Sequence, residues 1–321
     1  MSYSIKGLLT SELTGDTLSR ITESFNSVFK KDYPVNYFVD KYSNSSLGFS
    51  FHGLLYYNES IVGSFSVIPK KYQANNKHYT FGLACDAFIL EEHRKDELFL
   101  KKMHQSVVER LAEFQVSFVF SIPNDIAYPY WKYMVKYKDI GEMNYYVYPV
   151  NIGALVSSLK FLNPLSSFFA GAWSGILPLF KNEKQLYAPQ TNICLHIDEE
   201  YLAQRFNSTY TTITLSSTQK FTYKIIEEDG IRVAYLFHLS PSTTRCLNKA
   251  MSVLLKQKKN FDVVMFIGNW SIKPLSLIKV PREKEPRKQR FIGTILDANN
   301  CPEGVLNIKN WRLSLSDFDN R

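Results

Sequence analysis

The segment 81–114 most constrains how this chain can fold, because two hydrophobic periodicities follow one another within it. From Phe81 to Leu90 the residues are almost continuously apolar, as in a strand that is buried on both faces. From Phe99 to Phe114 apolar residues recur every three or four positions, with charged residues between them, which indicates an amphipathic helix. The segment therefore predicts a buried strand, a short charged turn and a helix.

The start of the predicted helix bears on function. A helix N-terminus leaves several backbone N–H groups unbonded and carries the positive end of the helix dipole. When such a terminus follows a buried strand, it can bind a phosphate group. The alternative interpretation is an ordinary strand-to-helix turn, since charged residues are common at helix starts.

Length and composition limit the class of protein. A chain of 321 residues favours two domains, and 45% hydrophobic with 21% charged residues indicates a globular protein. The net charge of +8 suits an anionic cofactor, an acidic acceptor, nucleic acid or a membrane surface. Lysine and arginine are spread along the whole chain, however, and no nucleic-acid-binding module accompanies them. We therefore expect no nucleic-acid partner.

The cysteines and the first residues bear on metal binding and location. Cys85, Cys194, Cys246 and Cys301 are too far apart in sequence for a zinc motif, so no metal is expected. Residues 1–9 lack both the charged region and the long apolar core of a signal peptide. The sequence thus favours a reducing, cytoplasmic location.

Hydrophobic patterns predict further elements on both sides of the central segment. Before it we expect a strand, two helices and a hairpin, at Tyr3–Leu9, Leu18–Phe29, Val35–Tyr42 and Phe49–Pro69. After it, a buried strand at Val116–Ile122 is followed by a helix that begins near Asp125. The second half shows a similar order of helix, three strands, helix and strand, at Asp198–Phe206, Thr211–Leu215, Phe221–Glu227, Ile231–Leu239, 241–258 and 261–269.

The run from Asp86 to Phe99 resembles the coenzyme A (CoA) loop of the Gcn5-related N-acetyltransferases (GNAT). In that family an Arg/Gln-x-x-Gly-x-Gly/Ala run receives the pyrophosphate. Arg94 matches its first position, Glu97 stands at the central glycine and Phe99 at the second small residue. The passage Lys41–Pro69 is also similar to the one that precedes this loop in a Phe-containing branch of the family, and the order of elements is the same.

The resemblance implies an enzyme, an N-acyltransferase that uses acetyl-CoA or another acyl-CoA as co-substrate and a small-molecule amine as acceptor, without a metal. It implies that strand backbone pairs with the pantetheine arm of CoA, at Phe88, Ile89 and Leu90. The pyrophosphate would be held by the turn, at Arg94, Lys95, Asp96, Glu97, Leu98 and Phe99. Asn124, after the next strand, would help to order the thiol.

An acid and a base are needed besides the cofactor site. Where the family has a tyrosine that protonates the thiolate, this chain has Trp131, so Tyr130 and Tyr133 are the candidate acids. Asp86 is the candidate base, because a carboxylate on a buried strand face lined by small residues should have a raised pKa. The alternatives are aromatic packing for the tyrosines and a purely structural role for Asp86, with Glu92 and His93 as other candidate bases.

Residues 152–180 form an apolar segment whose only charge is Lys160. Asn163, Pro164 and Pro178 divide it into pieces shorter than the roughly 20 residues that a membrane span requires. The segment is interpreted as a helical linker, with a weak contact to a membrane surface as the alternative.

Together these patterns predict an α/β (α+β) protein with two tandem GNAT-like domains, each with a mixed, mostly antiparallel sheet flanked by helices. The predicted divisions are an acyl-CoA-binding domain at 1–150, the apolar linker at 151–184 and a degenerate GNAT-like domain at 185–321. The alternative to an enzyme is a non-catalytic GNAT-fold binding or scaffolding protein with a degraded CoA site, since Glu97 and Trp131 depart from the family pattern.

Overall fold

The computed structural model describes residues 2–94, 96, 98–206 and 208–318. These residues form two compact units, and neither unit is continuous in sequence. Unit 1 contains 1–142, 193–196 and 289–308, and unit 2 contains 143–192, 197–288 and 309–321. The divisions predicted at 150 and 185 do not coincide with these units, because strands from each half of the chain complete the sheet of the other half.

The secondary structure is mixed. The strands are β1 (Tyr3–Leu9), β2 (Phe51–Tyr57), β3 (Ser60–Ala74), β4 (Lys77–Ile89), β5 (Val116–Ser121), β6 (Lys138–Pro149), β7 (Ile193–Leu195), β8 (Thr211–Ser216), β9 (Gln219–Glu228), β10 (Ile231–Ser240), β11 (Val263–Gly268), β12 (Ile278–Lys279), β13 (Gln289–Ile295) and β14 (Trp311–Arg312). The α-helices are α1 (Gly15–Phe29), α2 (Val35–Ser43), α3 (Phe99–Glu113), α4 (Ile152–Leu155), α5 (Asn163–Ile176), α6 (Glu199–Arg205), α7 (Thr244–Lys256) and α8 (Leu315–Phe318).

The sheet of unit 1 has the strand order β1-β2-β3-β4-β5-β13. Neighbouring strands are antiparallel except β4 and β5, which are parallel and are connected through α3. The final strand, β13, comes from late in the chain and pairs with β5 from Ile292–Ser121 to Ile295–Phe118. The sequence patterns predict β1 to β5, but they do not predict β13.

The sheet of unit 2 repeats this arrangement. β8, β9 and β10 are antiparallel, β11 is parallel to β10 and follows α7, and residues 144–149 of β6 pair antiparallel with β11. The turn between β9 and β10 is the predicted Asp229-Gly230, with both residues at positive φ. The expectation of a mixed, mostly antiparallel sheet flanked by helices is confirmed, whereas the assignment of unit 2 as a degenerate GNAT-like domain stays a prediction.

The helices of unit 1 form for the reasons that the sequence indicates. The side chain of Thr14 accepts a hydrogen bond from the Thr17 N–H (3.1 Å) and so caps α1. The predicted apolar face of α1 is buried at Leu18, Ile21 and Phe25. On α3 the buried residues recur at the predicted spacing, at Phe99, Met103, Val107 and Leu111. The central strand, turn and helix are therefore confirmed.

α3 approaches the sheet unusually closely at two glycines. Gly7 on β1 and Gly53 on β2 are cross-strand partners, and α3 packs over both. A Cβ on Gly53 would lie 2.7 Å from the carbonyl oxygen of Met103, and a Cβ on Gly7 would overlap the carbonyl oxygen of Ser106. Both obstacles are helix backbone, which cannot rotate away as a side chain can. The two glycines therefore set the distance between α3 and the sheet.

Gly7→Ala is expected to lower the free energy of unfolding by about 1–3 kcal/mol, because the new methyl group must push the helix backbone outward. Urea unfolding measures this change. Gly15→Ala is the matched control, since Gly15 opens α1 and a methyl group there would have no heavy atom within 4 Å. An equal, small effect of both substitutions would contradict the close approach.

Candidate functional site

The candidate site lies where β4 and β5 diverge. Their parallel pairing ends at Leu83 and Phe120, although β4 continues to Ile89. Beyond that point β4 remains paired on its other side, since Phe88 and Ile89 lie opposite Ser64 and Gly63 of β3. The edge of β4 that faces β5 is thus released over residues 85–89. The released edge includes Phe88 and Ile89, for which the resemblance implies pairing with pantetheine, and that pairing stays a prediction.

A β-bulge lies in this released part of β4. Cys85 pairs with Ser66 and Phe88 with Ser64, so that Asp86 and Ala87 together face the single residue Phe65. Asp86 has a φ of 53°, in the left-handed region that few residues other than glycine adopt. A bulge interrupts the regular ladder and re-aims the side chains next to it. The irregular backbone therefore coincides with the predicted base.

The Asp86 side chain is buried and held from two sides. Lys41 Nζ lies 2.7 Å from Oδ1, and the Tyr42 hydroxyl donates to Oδ2 at 3.1 Å. Burial, the largest single effect, disfavours the charged form of Lys41, but the Asp86 carboxylate together with Cys85 and Tyr37 holds the pKa of Lys41 above its usual range. Burial, together with Asp86, raises the pKa of the Tyr42 phenol well above its ordinary value. Sequence reasoning did not identify Lys41 or Tyr42 as partners of Asp86.

A buried histidine continues the polar layer toward β2. The His52 side chain is fully buried and is hydrogen-bonded to Thr10 Oγ1 (2.9 Å) and to Ser66 Oγ (3.0 Å). Its ring lies 4.6 Å from the Tyr42 ring. Burial lowers the pKa of His52 to about 3, so the imidazole is neutral near pH 7. Asp86 therefore belongs to a satisfied polar network in which Lys41 carries the opposite charge.

The turn between β4 and α3 is closed by its own side chains. Arg94 Nε donates to the Ile89 carbonyl oxygen (2.8 Å), which directs the guanidinium back toward the end of β4. Asp96 Oδ1 accepts from the Leu98 N–H (2.9 Å), and the Asp96 carbonyl accepts from the Phe99 N–H (3.2 Å). The predicted positions Lys95 and Glu97 lie outside the described residues. Several amides predicted to hold pyrophosphate are thus bonded within the turn.

Asp96 already places a negative charge at the start of α3. Its Oδ2 lies 2.8 Å from Lys102 Nζ. The hydrogen bond from Lys102, and then that from the Leu98 amide, lowers the pKa of the Asp96 carboxyl. The carboxylate is bonded to the amide of Leu98, the residue before α3, and its negative charge lies near the positive end of the helix dipole, where a phosphate would bind. Leu98 is half exposed, and Phe99 is buried with its ring 4.7 Å from Tyr3.

The segment after β5 is a turn and a π-helical stretch, Tyr130–Val135, instead of the predicted α-helix. Asn124 Oδ1 accepts from the Ala127 N–H (2.7 Å), so Asn124 caps this turn. Pro129 has no N–H to donate to a carbonyl four residues earlier, which disfavours a regular α-helical start here. The π-helical stretch ends at Lys136, which has a φ of 71°.

Trp131 fills the position where the resemblance implies a tyrosine. It is 2% exposed, and its ring lies 5.4 Å from Phe65 and 5.0 Å from Tyr137. Because Phe65 faces the bulge, this packing brings the π-helical stretch toward the same part of β4. Tyr130 and Tyr133 are 48% and 60% exposed, so neither is consumed by core packing. Their assignment as acids stays a prediction, as does that of Asp86 as base.

Tyr137 is a buried phenol near Trp131 that the sequence did not single out. Its hydroxyl is hydrogen-bonded to His104 Nε2 at 3.0 Å, and burial raises the pKa of Tyr137 well above its usual value. Burial also lowers the pKa of His104 to about 4. Within the described part of the chain, no three His, Cys, Asp or Glu side chains are grouped as metal ligands would be. The expectation of a metal-free reaction stays a prediction.

No family model matches the sequence, and no curated protein matches it either. Solved structures do match, over 92% of this chain. A protein of unknown function from Enterococcus faecalis, named a probable N-acyltransferase, is 9% identical with a TM-score of 0.62 over 73% of its own chain. GCN5-related N-acetyltransferases from Anabaena variabilis and Kribbella flavida are 10% and 12% identical, with TM-scores of 0.58 and 0.57 over 73% and 72% of their chains.

At identities this low, the structural likeness establishes a shared fold only. The chemistry has to be argued from the residues of this chain. The likeness covers nearly the whole chain, with TM-scores of 0.57 to 0.62. This chain therefore has the fold of the GCN5-related N-acetyltransferases.

Proposed function

We propose that this chain is an N-acyltransferase that transfers the acyl group of an acyl-CoA, with acetyl-CoA as the first candidate, to a small-molecule amine. The observation that carries the proposal is the divergence of β4 from β5 next to the bulge at Asp86. A released strand edge offers backbone N–H and C=O groups at the spacing of an extended amide chain such as pantetheine. Its presence in a fold shared with N-acetyltransferases supports this function.

In the proposed reaction the amine nitrogen attacks the carbonyl carbon of the thioester. A C–N bond forms, the C–S bond breaks, and the thiolate leaves. Asp86 takes the proton from the nitrogen, and Tyr130 or Tyr133 gives a proton to the sulfur, after which solvent restores both groups. Asp86 Oδ2 accepts from the Tyr42 hydroxyl and from the Cys85 thiol (3.5 Å), whereas Oδ1 accepts from Lys41 and retains a second lone pair, so Oδ1 has room for this proton.

The proposal predicts how the acidic turn affects the cofactor. Asp96→Asn is expected to raise the affinity for acetyl-CoA about three- to tenfold, because it removes a negative charge next to the pyrophosphate position and frees Lys102. The asparagine Oδ1 can still accept from the Leu98 N–H, so the turn before α3 should keep its conformation. Isothermal titration of wild type and variant with acetyl-CoA measures the change.

Asp16→Asn is the matched control. It removes the same charge from the first turn of another helix, where Asp16 pairs with Arg20. This variant should leave the affinity for acetyl-CoA unchanged. A drop in affinity in Asp96→Asn alone would show that the carboxylate supports the bound cofactor instead of opposing it.

A second candidate function is a non-catalytic binding or scaffolding protein of this fold. The bonds of Asp96 to the Leu98 and Phe99 amides favour it, since they occupy two of the turn's amides without a cofactor. The same titration separates the two functions. Failure of both wild type and Asp96→Asn to bind acetyl-CoA at millimolar concentration would rule out the acyltransferase and leave the binding protein.

A further inference from the structure

Helix α5 turns its large apolar side chains toward solvent, whereas a helix that covers a core normally turns them inward. Most side chains that face the rest of unit 2 are small or polar, at Ser166, Ala170, Gly171 and Ser174, and the partly buried Trp173 packs against the core beside them. The large apolar side chains face solvent, with exposed fractions of 51% for Leu165, 67% for Phe168, 58% for Phe169 and 42% for Ile176. Their spacing of three, four and seven residues places them on one side of the helix. The helix thus displays its apolar face outward.

The inward face of α5 is fixed in place by hydrogen bonds, so the helix cannot rotate to bury the phenylalanines. Ser252 Oγ of α7 donates to the Ser174 carbonyl oxygen (2.6 Å), and Lys258 Nζ donates to the Ser167 carbonyl oxygen (2.5 Å). Ser166 Oγ donates to the Val150 carbonyl oxygen (2.9 Å). Small residues permit this close approach of α5 to α7, and the outward face is left for another partner.

Further exposed apolar side chains precede and follow α5 in the sequence. Together with those of α5 we call them the α5 apolar face, which we define as Leu155, Val156, Phe161, Leu165, Phe168, Phe169, Ile176, Leu179 and Phe180, all of which are exposed. Nine large apolar side chains exposed within 26 residues form a far denser group than the scattered apolar residues of an ordinary surface. Such a concentration marks a binding surface.

The chain segment that carries the α5 apolar face has charged residues of one sign only. Residues 143–182 contain no aspartate or glutamate. Lys160 and Lys181 are exposed, one near each end of the face. Apolar and aromatic side chains flanked by lysines match the boundary between the acyl chains and the anionic headgroups of a bilayer.

The length of α5 decides how it meets a bilayer. With 14 residues it is about 21 Å long, which is shorter than the roughly 30 Å of the hydrocarbon core. Among the described residues, no helix is long and apolar enough to cross a membrane. We propose that the α5 apolar face docks unit 2 onto the surface of a bilayer that contains anionic phospholipids, with α5 lying parallel to the membrane plane.

A second copy of this chain fits the same face less well. In a two-fold dimer the same surface patch is present on both partners. The lysines of one copy would then meet a surface that has no carboxylate from 143 to 182 with which to pair. An anionic lipid surface supplies the missing negative charge. Docking through unit 2 is independent of the acyl transfer proposed for unit 1.

Vesicle flotation tests the proposal with the full chain. Wild type is expected to float with vesicles of phosphatidylcholine and phosphatidylglycerol, and to bind pure phosphatidylcholine vesicles at least tenfold more weakly. The double variant Phe168→Ser/Phe169→Ser should lose at least tenfold in affinity for the anionic vesicles. Lys160→Glu/Lys181→Glu should lose the preference for anionic lipid. Leu275→Ser is the matched control, since Leu275 is 69% exposed in unit 2 outside the face, and it should bind as wild type does.

Tryptophan fluorescence supplies a second readout that depends on depth. Trp131, Trp270 and Trp311 are buried, whereas Trp173 of α5 is only partly buried. Brominated lipids should therefore quench wild-type fluorescence, and Trp173→Phe should remove most of that quenching while flotation persists. Failure to float with either vesicle would overturn the proposal, and so would flotation that the phenylalanine substitutions leave unchanged. A dimer in lipid-free buffer that Phe168→Ser/Phe169→Ser dissociates would assign the face to a second copy instead.

Discussion

Replacing Lys41 with methionine is expected to lower the free energy of unfolding by about 3–5 kcal/mol. The side chains of Lys41 and Asp86 are each only 9% exposed, so the substitution leaves the Asp86 carboxylate buried without its counter-charge. Removing one partner of a buried ion pair is costly for this reason, even where the intact pair contributes little. Urea unfolding followed by circular dichroism measures the change.

Arg20→Met is the matched control for this substitution. Arg20 pairs with Asp16 at 2.9 Å, but the side chains are 50% and 71% exposed, so water replaces the lost partner. Its effect should stay within about 1 kcal/mol. Comparable losses in the two variants would show that water reaches Asp86 and that its network is not closed.

Asp86→Asn is expected to reduce acyl transfer by about 10²- to 10⁴-fold, because the amide cannot take a proton from the acceptor amine. Thiol release from acetyl-CoA across a panel of amines measures this loss. The same substitution also leaves Lys41 buried without its carboxylate, so lower activity alone does not separate a catalytic from a structural role.

The double variant Lys41→Met/Asp86→Asn makes that separation. It removes both charges together, so its free energy of unfolding should recover toward that of wild type. If Asp86 is the base, activity stays lost while stability returns. Activity that returns together with stability would contradict the catalytic role and leave Asp86 as a structural residue.

The local elements could be predicted from the sequence because their causes are local. The change of periodicity between Phe81 and Phe114 predicts β4 and α3, and the structure places them at Lys77–Ile89 and Phe99–Glu113. The Asp229-Gly230 turn predicts its hairpin, since both residues tolerate positive φ. These signals lie within one stretch of chain and need no knowledge of distant partners.

The features that decide the candidate site depend on distant partners. The charge of Asp86 is balanced by Lys41, which lies 45 residues earlier on a different element. No sequence pattern around either residue predicts this ion pair. The prediction that Asp86 is a buried catalytic base is based only on its small neighbours on β4. From the sequence, Trp131 could be recognised only as a residue that differs from the tyrosine expected at its position. The structure shows that its indole packs in the core against Phe65 and Tyr137.

Distant contacts also decide which face of an apolar helix is buried. Periodicity identifies the apolar residues of α5, but it does not tell which face meets the rest of the protein. The hydrogen bonds from Ser252 and Lys258 to the α5 backbone fix that choice, and their donors lie 78 and 91 positions after the carbonyl groups that accept them. A helix whose small residues face inward has the same hydrophobic period as one that buries its phenylalanines.

The late position of β13 in the chain affects how unit 1 folds during synthesis on the ribosome. Unit 1 is still missing the strand that borders β5 until residue 295 has been synthesised, long after β1 to β5 have left the exit tunnel. From the synthesis of β5 until that of β13, the edge of β5 is open to pairing with other strands, which is a cause of misassembly and aggregation. A nascent chain stalled before β13 should therefore depend on a chaperone. Unit 1 cannot finish folding before most of the chain is made, because its last strand is synthesised after most of unit 2.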